Sequence, residues 1–378
     1  MRLIATRRLT PGLRLGRDVP APRGTVPLLR RGVELTARQC QALVESGINA
    51  VYIDDALSAD IDVAMALSDD TRREAREALD RALADAPALV ASGEQLPDRT
   101  AIELQRIAEL IASEVAASGH AALALSDLAG ADSYTLEHSI DVTIVGLLVG
   151  ERVFRERGRI DFMQKRSFDR IEHHLTQLGV GLMLHDIGKI AIPSQVLQKP
   201  GQLDDEEWEL MRRHPLTGVE MLPGDAIGAR AKSVVRSHHE RWDGGGYPHG
   251  LAGDDIPQFA RIAAVADVFD AVTSERPYAK AAPQHVGVSI VRSGETTAFD
   301  PEVVEVFREV IAPYPPGSEI VLSDGRRAVV VEARPGRFDL PLVRVHRDAG
   351  GREIAPYDLD LGDHPDLAPA AGSPTAAQ

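Results

Sequence analysis

The sequence contains one cysteine, Cys40, in 378 residues, which excludes an internal disulfide and any zinc site built from several thiolates. Aromatic residues make up only 4%, and no stretch approaches the ~18 uncharged apolar residues that cross a membrane. Positive charge is also in deficit: 42 Lys and Arg stand against 57 Asp and Glu, a formal charge of −15. A general nucleic-acid binder carries the opposite sign, so neither DNA nor RNA is expected as a partner. An anionic substrate would need a local positive site to overcome this field. The opening run from Met1 to Arg8 lacks the apolar core of a signal peptide, so a cytoplasmic protein without membrane insertion is expected. What the chain does have is length for two or three domains, 44% apolar residues for their cores, and twelve histidines.

Residues 1–56 read as a small mixed α/β module, with short apolar runs separated by Pro11-Gly12, Pro20, Pro22 and Gly24. Thr36 and Gln39 fit a capping box that opens a helix, Gly47 fits its end, and Val51 to Ile53 reads as a closing strand. No nucleophile triad or phosphate-cradling loop occurs there, so the module is expected to regulate or to bind protein partners. Residues 57–129 turn helical and Ala-rich. Thr71 to Ala86 predicts one helix stopped near Pro87, and Ala101 to Ala117 a second, with Ile102, Leu104, Ile107, Leu110 and Ile111 at helical spacing. This region suits packing or a homodimer contact. Residues 130–312 are mainly helical and hold nearly all the chemistry. Residues 315–362 predict a small β module, with strands at Ile320 to Leu322, Ala328 to Val331 and Leu342 to Val345, and 363–378 an unstructured tail. The expected class is mainly α, with small β-containing modules at both ends.

Five histidines and two aspartates stand out. His138 lies on a predicted helix; His185-Asp186 follows the apolar run Val180 to Leu184; His214 precedes Pro215; His238 and His239 are adjacent; Asp267 ends the apolar run Ile262 to Ala266. A carboxylate beside buried sequence is costly unless it is paired, hydrogen-bonded or bound to metal. Imidazole and carboxylate without thiolate suit Mn, Fe, Co, Ni or Zn. Seven such groups are too many for one ion with an open position and suit two ions sharing a carboxylate, for which Asp186 is the natural bridge. Paired cations of this kind activate water and polarise a phosphoryl oxygen, so phosphoester hydrolysis is implied.

These residues belong to longer runs: Tyr134-Thr-Leu-Glu-His138-Ser, His185-Asp186-Ile-Gly-Lys189, His214-Pro215, His238-His239-Glu-Arg-Trp-Asp243-Gly-Gly-Gly246-Tyr247-Pro248, and Asp267-Val-Phe-Asp270 through Arg276-Pro277-Tyr278. Together, and in this order, they resemble the HD-GYP family of HD-superfamily metal phosphohydrolases, whose members hydrolyse cyclic di-GMP. The resemblance implies a helical HD-type catalytic domain and hydrolysis to pGpG, with GMP if a second cleavage follows, by a hydroxide held between two divalent ions. Iron or manganese is expected first, with zinc, cobalt or nickel as further candidates. It assigns His138, His185, Asp186 and Asp267 to one ion, and Asp186 with His214, His238 and His239 to the other. Asp186 and Lys189 are the implied catalytic residues, and Lys189, Gly246, Tyr247 and Arg276 the implied substrate contacts. Asp243 and Asp270 are expected to orient ligands rather than to be ligands. A cyclic di-GMP-binding signalling protein with little turnover, or a hydrolase of another cyclic dinucleotide, is the alternative.

Two departures bear on this. Three-metal members carry Glu four residues before the first histidine, where this chain has Tyr134; Glu137 points about 100° away around the helix, so two metals are expected. After Arg276-Pro277-Tyr278 the chain has Ala279 and then Lys280, where relatives often have a basic residue directly. His138 and His185 also lie 47 residues apart, with a basic segment near 152–170 between them. That segment, with Arg152, Arg155, Arg157, Arg159, Lys165, Arg166 and Arg170, reads as a solvated loop or as a lip steering an anionic dinucleotide.

Overall fold

A computed structural model describes residues 1–19, 27–118, 134–161, 163–199, 201–224, 226–274, 281–334 and 336–370. At the N-terminal end β1 (Arg2–Ala5) pairs antiparallel with β2 (Ala50–Ile53), Arg2 opposite Ile53, with α1 (Ala37–Glu45) between them in sequence. The capping box forms: the Thr36 hydroxyl accepts from the Gln39 N–H, and the Gln39 side chain accepts from the Thr36 N–H at 2.9 Å.

Helices α2 (Asp69–Ser92) and α3 (Asp98–Ser118) follow. The first does not stop near Pro87, as its sequence predicts, but runs through it to a left-handed Gly93. An interior proline costs a helix about 3 kcal/mol, yet Ala86 and Leu89 on either side of it are buried in the main core, and that packing keeps the last turn in place. The buried stripe of α3 is Leu104, Ile107, Ala108, Ile111 and Val115, while Ile102 is 62% exposed and faces away.

The helical body continues with α4 (Tyr134–Glu156), the short hairpin β3 (Arg159–Ile160) and β4 (Arg166–Ser167), and α5 (Ile171–Met183). A 3₁₀ turn at Ile187–Ala191 leads to α6 (Ser194–Leu197), α7 (Asp205–Met211), α8 (His214–Met221) and α9 (Ala229–Ser237). Helices α10 (Gln258–Thr273), α11 (Gln284–Ser293) and α12 (Pro301–Val310) complete it. One hydrophobic core runs from α2 to α12, with Leu175, Leu178, Val180 and Leu182 of α5 fully inside it. The helices of the 57–129 region therefore share a core with those that carry the histidines. No helix among the described residues is long and apolar enough to cross a membrane.

The C-terminal sheet is antiparallel in sequential order: β5 (Glu319–Val321), β6 (Arg327–Glu332), β7 (Leu342–Arg347) and β8 (Glu353–Asp360). Sequence patterning misses β8 because Pro356 and a largely exposed face blur its alternation; it is an edge strand, where a missing donor is tolerated. The tail departs from expectation as far as it is described. Ser323 N–H donates to the Ala368 carbonyl at 2.8 Å and Ala370 N–H to the Val321 carbonyl at 2.7 Å, while Leu367 packs on the sheet. Residues 371–378 lie outside the described part. The two ends of the chain also meet: Leu3 N–H donates to the Gly317 carbonyl at 3.0 Å, and Tyr52 and Val63 share a cluster with Val329. The class is mainly α with small antiparallel sheets near both ends, as expected.

Candidate metal centre

The seven residues come from five places. His138 lies on α4, His185 and Asp186 follow α5, His214 opens α8, His238 and His239 follow α9, and Asp267 lies on α10. Helix ends and one helix face thus converge on a single point. The closeness of the segments is visible at Gly188, where a Cβ would lie 2.0 Å from the His214 carbonyl oxygen and 2.6 Å from Gly218 N. Only glycine lets the 3₁₀ turn and α8 approach this far.

The two oxygens of Asp186 face different ways. Its Oδ2 lies 3.7 Å from His138 Nε2 and 3.5 Å from His185 Nε2. Its Oδ1 lies 3.4 Å from His214 Nε2 and 3.7 Å from His238 Nε2. Asp267 Oδ1 closes the first group, 3.2 Å from His138 Nε2 and 3.8 Å from His185 Nε2. His239 joins the second group with Asp186, His214 and His238, the donor atoms all lying within 4.8 Å of one another. Its Nδ1 is 3.9 Å from Asp267 Oδ2.

Fixed acceptors set the tautomers. The Nδ1–H groups of His185 and His214 donate to the Leu182 and Met211 carbonyls at 2.7 Å, and that of His238 to the Val234 and Val235 carbonyls at 3.1 Å. Asp270 does the same for His138 at 2.6 Å, the orienting role expected of it. Each of these four rings therefore turns its Nε2 inward, where it offers a lone pair once the ring is neutral. The consequence is a fit for a cation: His214 Nε2 and His238 Nε2 face each other at 3.3 Å, while His185 Nε2 and Asp186 Oδ1 are buried without a hydrogen-bond partner. Such groups are costly to bury, and a divalent metal satisfies all of them at once.

Protonation follows the same geometry. Burial drives His185 down to about 4 and His214 to about 3, and holds His239 well below its usual range. For His138 burial works against the charged ring, but Asp267 and Asp270 outweigh it and lift it to about 10. Burial alone would raise Asp186 and Asp267. Lys189 with the imidazoles of His185, His238 and His214 reverses this for Asp186, the imidazoles of His138, His185 and His239 reverse it for Asp267, and both lie well below the usual carboxylate range. The Lys189 ammonium lies 2.5 Å from Asp186 Oδ2, one 3₁₀ turn further along.

The glycine loop forms the rim. Gly246 packs so closely that a Cβ would lie 2.4 Å from Arg241 N and 2.5 Å from the His239 carbonyl, which places the next residue, Tyr247, on the site. The Tyr247 ring stacks on His239 at 4.7 Å. Asp243 departs from the expected ligand-orienting role: it pairs with Arg241 and accepts from Gly245 N–H at 2.9 Å, so it shapes the loop. Glu240, which sequence patterning misses, is buried and accepts from His249 N–H at 2.8 Å and Leu251 N–H at 3.0 Å. Its adjacency to the His238-His239 pair is the one sequence signal for it. Arg276, Ala279 and Lys280 lie outside the described residues.

The HD domain family matches residues 165–303. A cyclic di-GMP phosphodiesterase of Pseudomonas aeruginosa is 36% identical over 255 residues, covering 67% of this chain and 58% of that protein. By these matches the chain carries an HD domain and resembles cyclic di-GMP phosphodiesterases. Among other relatives, the cyclic di-GMP phosphodiesterase response regulator RpfG of Xanthomonas campestris is 47% identical over 127 residues, 32% of this chain and 33% of that protein. The 3′3′-cGAMP-specific phosphodiesterase 2 of Vibrio cholerae is 43% identical over 128 residues, 33% of this chain and 24% of that protein. The chain thus spans 58% of the first relative's length and a third or less of the other two.

Glu137 turns away from the cluster and is buried against α2, where it pairs with Arg72 at 2.9 Å and with Arg76. The basic segment near 152–170 is largely neutralised. Arg152 pairs with Glu156, Arg155 with Glu151, Arg157 with Glu305 and Arg166 with Glu302. Its hairpin docks on Gln258, which accepts from Ile160 N–H at 2.9 Å, nine residues and about 13 Å of helix before Asp267. The steering lip finds no support in this placement.

Proposed function

We propose that this chain is a metal-dependent phosphodiesterase that hydrolyses cyclic di-GMP to pGpG, with GMP following from a second cleavage. The observation that carries the reading is Asp186, with Oδ2 turned to His138 and His185 and Oδ1 to His214 and His238. One divalent cation would be held by His138, His185, Asp186 and Asp267, and a second by Asp186, His214, His238 and His239. Two ions, iron or manganese first and zinc, cobalt or nickel as further candidates, would supply Lewis-acid activation of a phosphodiester and of the attacking water.

The chain's own residues supply position and charge. Asp270 and the Leu182, Met211, Val234 and Val235 carbonyls hold the Nδ1 protons of His138, His185, His214 and His238 outward, so these four imidazoles need not reorganise during a reaction. Lys189 is the positive charge placed to reach a phosphate oxygen beside Asp186. Tyr247 covers His239 and borders the path of substrate, and Arg276 completes the phosphate contacts in this reading. The substrate is supported by the relatives, two of which bear the name cyclic di-GMP phosphodiesterase. A homodimer and protein partners for residues 1–56 belong to the same reading, and a monomer by light scattering at micromolar concentration removes the first.

The test is anaerobic purification with metal analysis, followed by chromatography of products formed from cyclic di-GMP. Formation of pGpG by the wild type, and none by a folded Asp186→Ala protein, is the expected result. Intact cyclic di-GMP after prolonged incubation with manganese or ferrous iron removes the proposal.

A further inference from the structure

A column of neighbouring rings, ending in a guanidinium, runs outward from the cluster. His238 and His239 are 4.1 Å apart, His239 and Tyr247 4.7 Å, and the Arg212 guanidinium lies 5.8 Å from the Tyr247 ring and 6.0 Å from the Trp208 ring. The inner members belong to the site already described. The outer two, Trp208 on α7 and Arg212 directly after it, have no role in it.

Neither is accounted for by packing. Trp208 is 44% exposed, and the Arg212 side chain, 53% exposed, has one ion-pair contact, a solvent-facing 3.6 Å approach to Glu209. Among the described residues, no hydrogen bond is made by the Arg212 guanidinium or the Trp208 indole N–H. A guanidinium flanked by two ring faces is restricted in orientation yet keeps its planar fork of N–H donors for a ligand. An exposed indole face beside it suits a nucleobase.

We propose that Arg212, held between Trp208 and Tyr247, is a base-recognition residue that makes this site select guanine over adenine. Guanine presents two adjacent acceptors, O6 and N7, which match a guanidinium fork, whereas adenine puts the N6 donor in place of O6. Trp208 provides the stacking face and Tyr247 the join to the metal cluster. The inference deepens the reading of cyclic di-GMP as substrate and rests on it for the ligand class alone.

The test compares cyclic di-GMP with cyclic di-AMP on the full-length wild type and on Arg212→Ala, Arg212→Lys and Trp208→Leu. Binding is measured by calorimetry on metal-stripped protein, where turnover is stopped, and kcat and KM on manganese-loaded protein. The wild type prefers the guanine ligand. In Arg212→Ala and Arg212→Lys that preference falls about ten- to a hundredfold, in Kd and KM rather than kcat, because lysine keeps the charge but not the fork. A merely structural role moves melting temperature without moving base preference. Should Arg212→Ala not fold, Arg212→Lys and the wild-type preference decide. Trp208→Leu weakens binding of both ligands and leaves the preference as it is, because stacking is tolerant of the base. A wild type that treats both ligands alike or takes neither, or Arg212 variants with unchanged preference, overturns the proposal. Selective guanine binding that depends on Arg212 but yields no pGpG leaves the subsite standing and removes the hydrolysis reading.

Discussion

His138 donates its Nδ1 proton to Asp270 at 2.6 Å while its Nε2 faces Asp267 at 3.2 Å. One ring is thus fixed between an orienting carboxylate and a ligand carboxylate. Asp270→Asn keeps the shape but loses the anion that fixes this tautomer, so metal affinity is expected to fall about 10- to 100-fold. Chelator competition on the folded variant measures it, and unchanged affinity removes the orienting role.

Arg72 of α2 spans Glu137 at 2.9 Å and Asp141 at 2.8 Å, the residues on either side of His138 along α4. Burial already pushes the Asp141 carboxyl up to about 7 in spite of Arg72. Arg72→Met would leave buried Asp141 without its ion partner and Glu137 with Arg76 alone, a loss of about 3 kcal/mol that denaturant unfolding reads. Glu137→Gln, by contrast, is expected to leave the metal content as it is in the wild type, because Glu137 faces α2 rather than the cluster.

Metal loading should release one proton near pH 7.5. His138, lifted to about 10, is the imidazole that holds a second proton there, whereas His185 and His214, at about 4 and 3, are already neutral. Calorimetry in buffers of different ionisation enthalpy counts the proton, and a count near zero contradicts the assignment.

The same groups set the acid and base limits of the metal-stripped protein. Between about 4 and 6.5 the unfolded chain binds protons that folded His185 and His214 refuse, so their contribution is present above 6.5 and lost as pH falls through that window. His138 acts oppositely: its contribution is complete below 6.5 and lost as pH rises toward 10. Melting temperature after chelation should therefore peak near neutrality and fall on both sides. A profile that keeps rising from pH 7 to 10 contradicts the role given to His138.

How much of this the sequence shows depends on whether a residue acts through its chemistry or its neighbours. His138, His185, Asp186, His214, His238, His239 and Asp267 announce themselves as acids and imidazoles beside apolar runs, and Asp270 follows Asp267 on the next helical turn. The cap at Thr36 is legible because a capping box is local. The continuation of α2 through Pro87 is not, because it depends on the burial of Ala86 and Leu89 against other helices. Arg72 looks like one of many charged residues on an exposed helix until α2 docks on α4. The basic segment near 152–170 misleads for the same reason: Glu302 and Glu305, which neutralise two of its arginines, come from α12.

The most direct measurement is anomalous diffraction from crystals grown with manganese. Two peaks flanking Asp186, one toward His138, His185 and Asp267 and the other toward His214, His238 and His239, are the predicted result. A single peak that leaves one of these groups of side chains without a cation would contradict it.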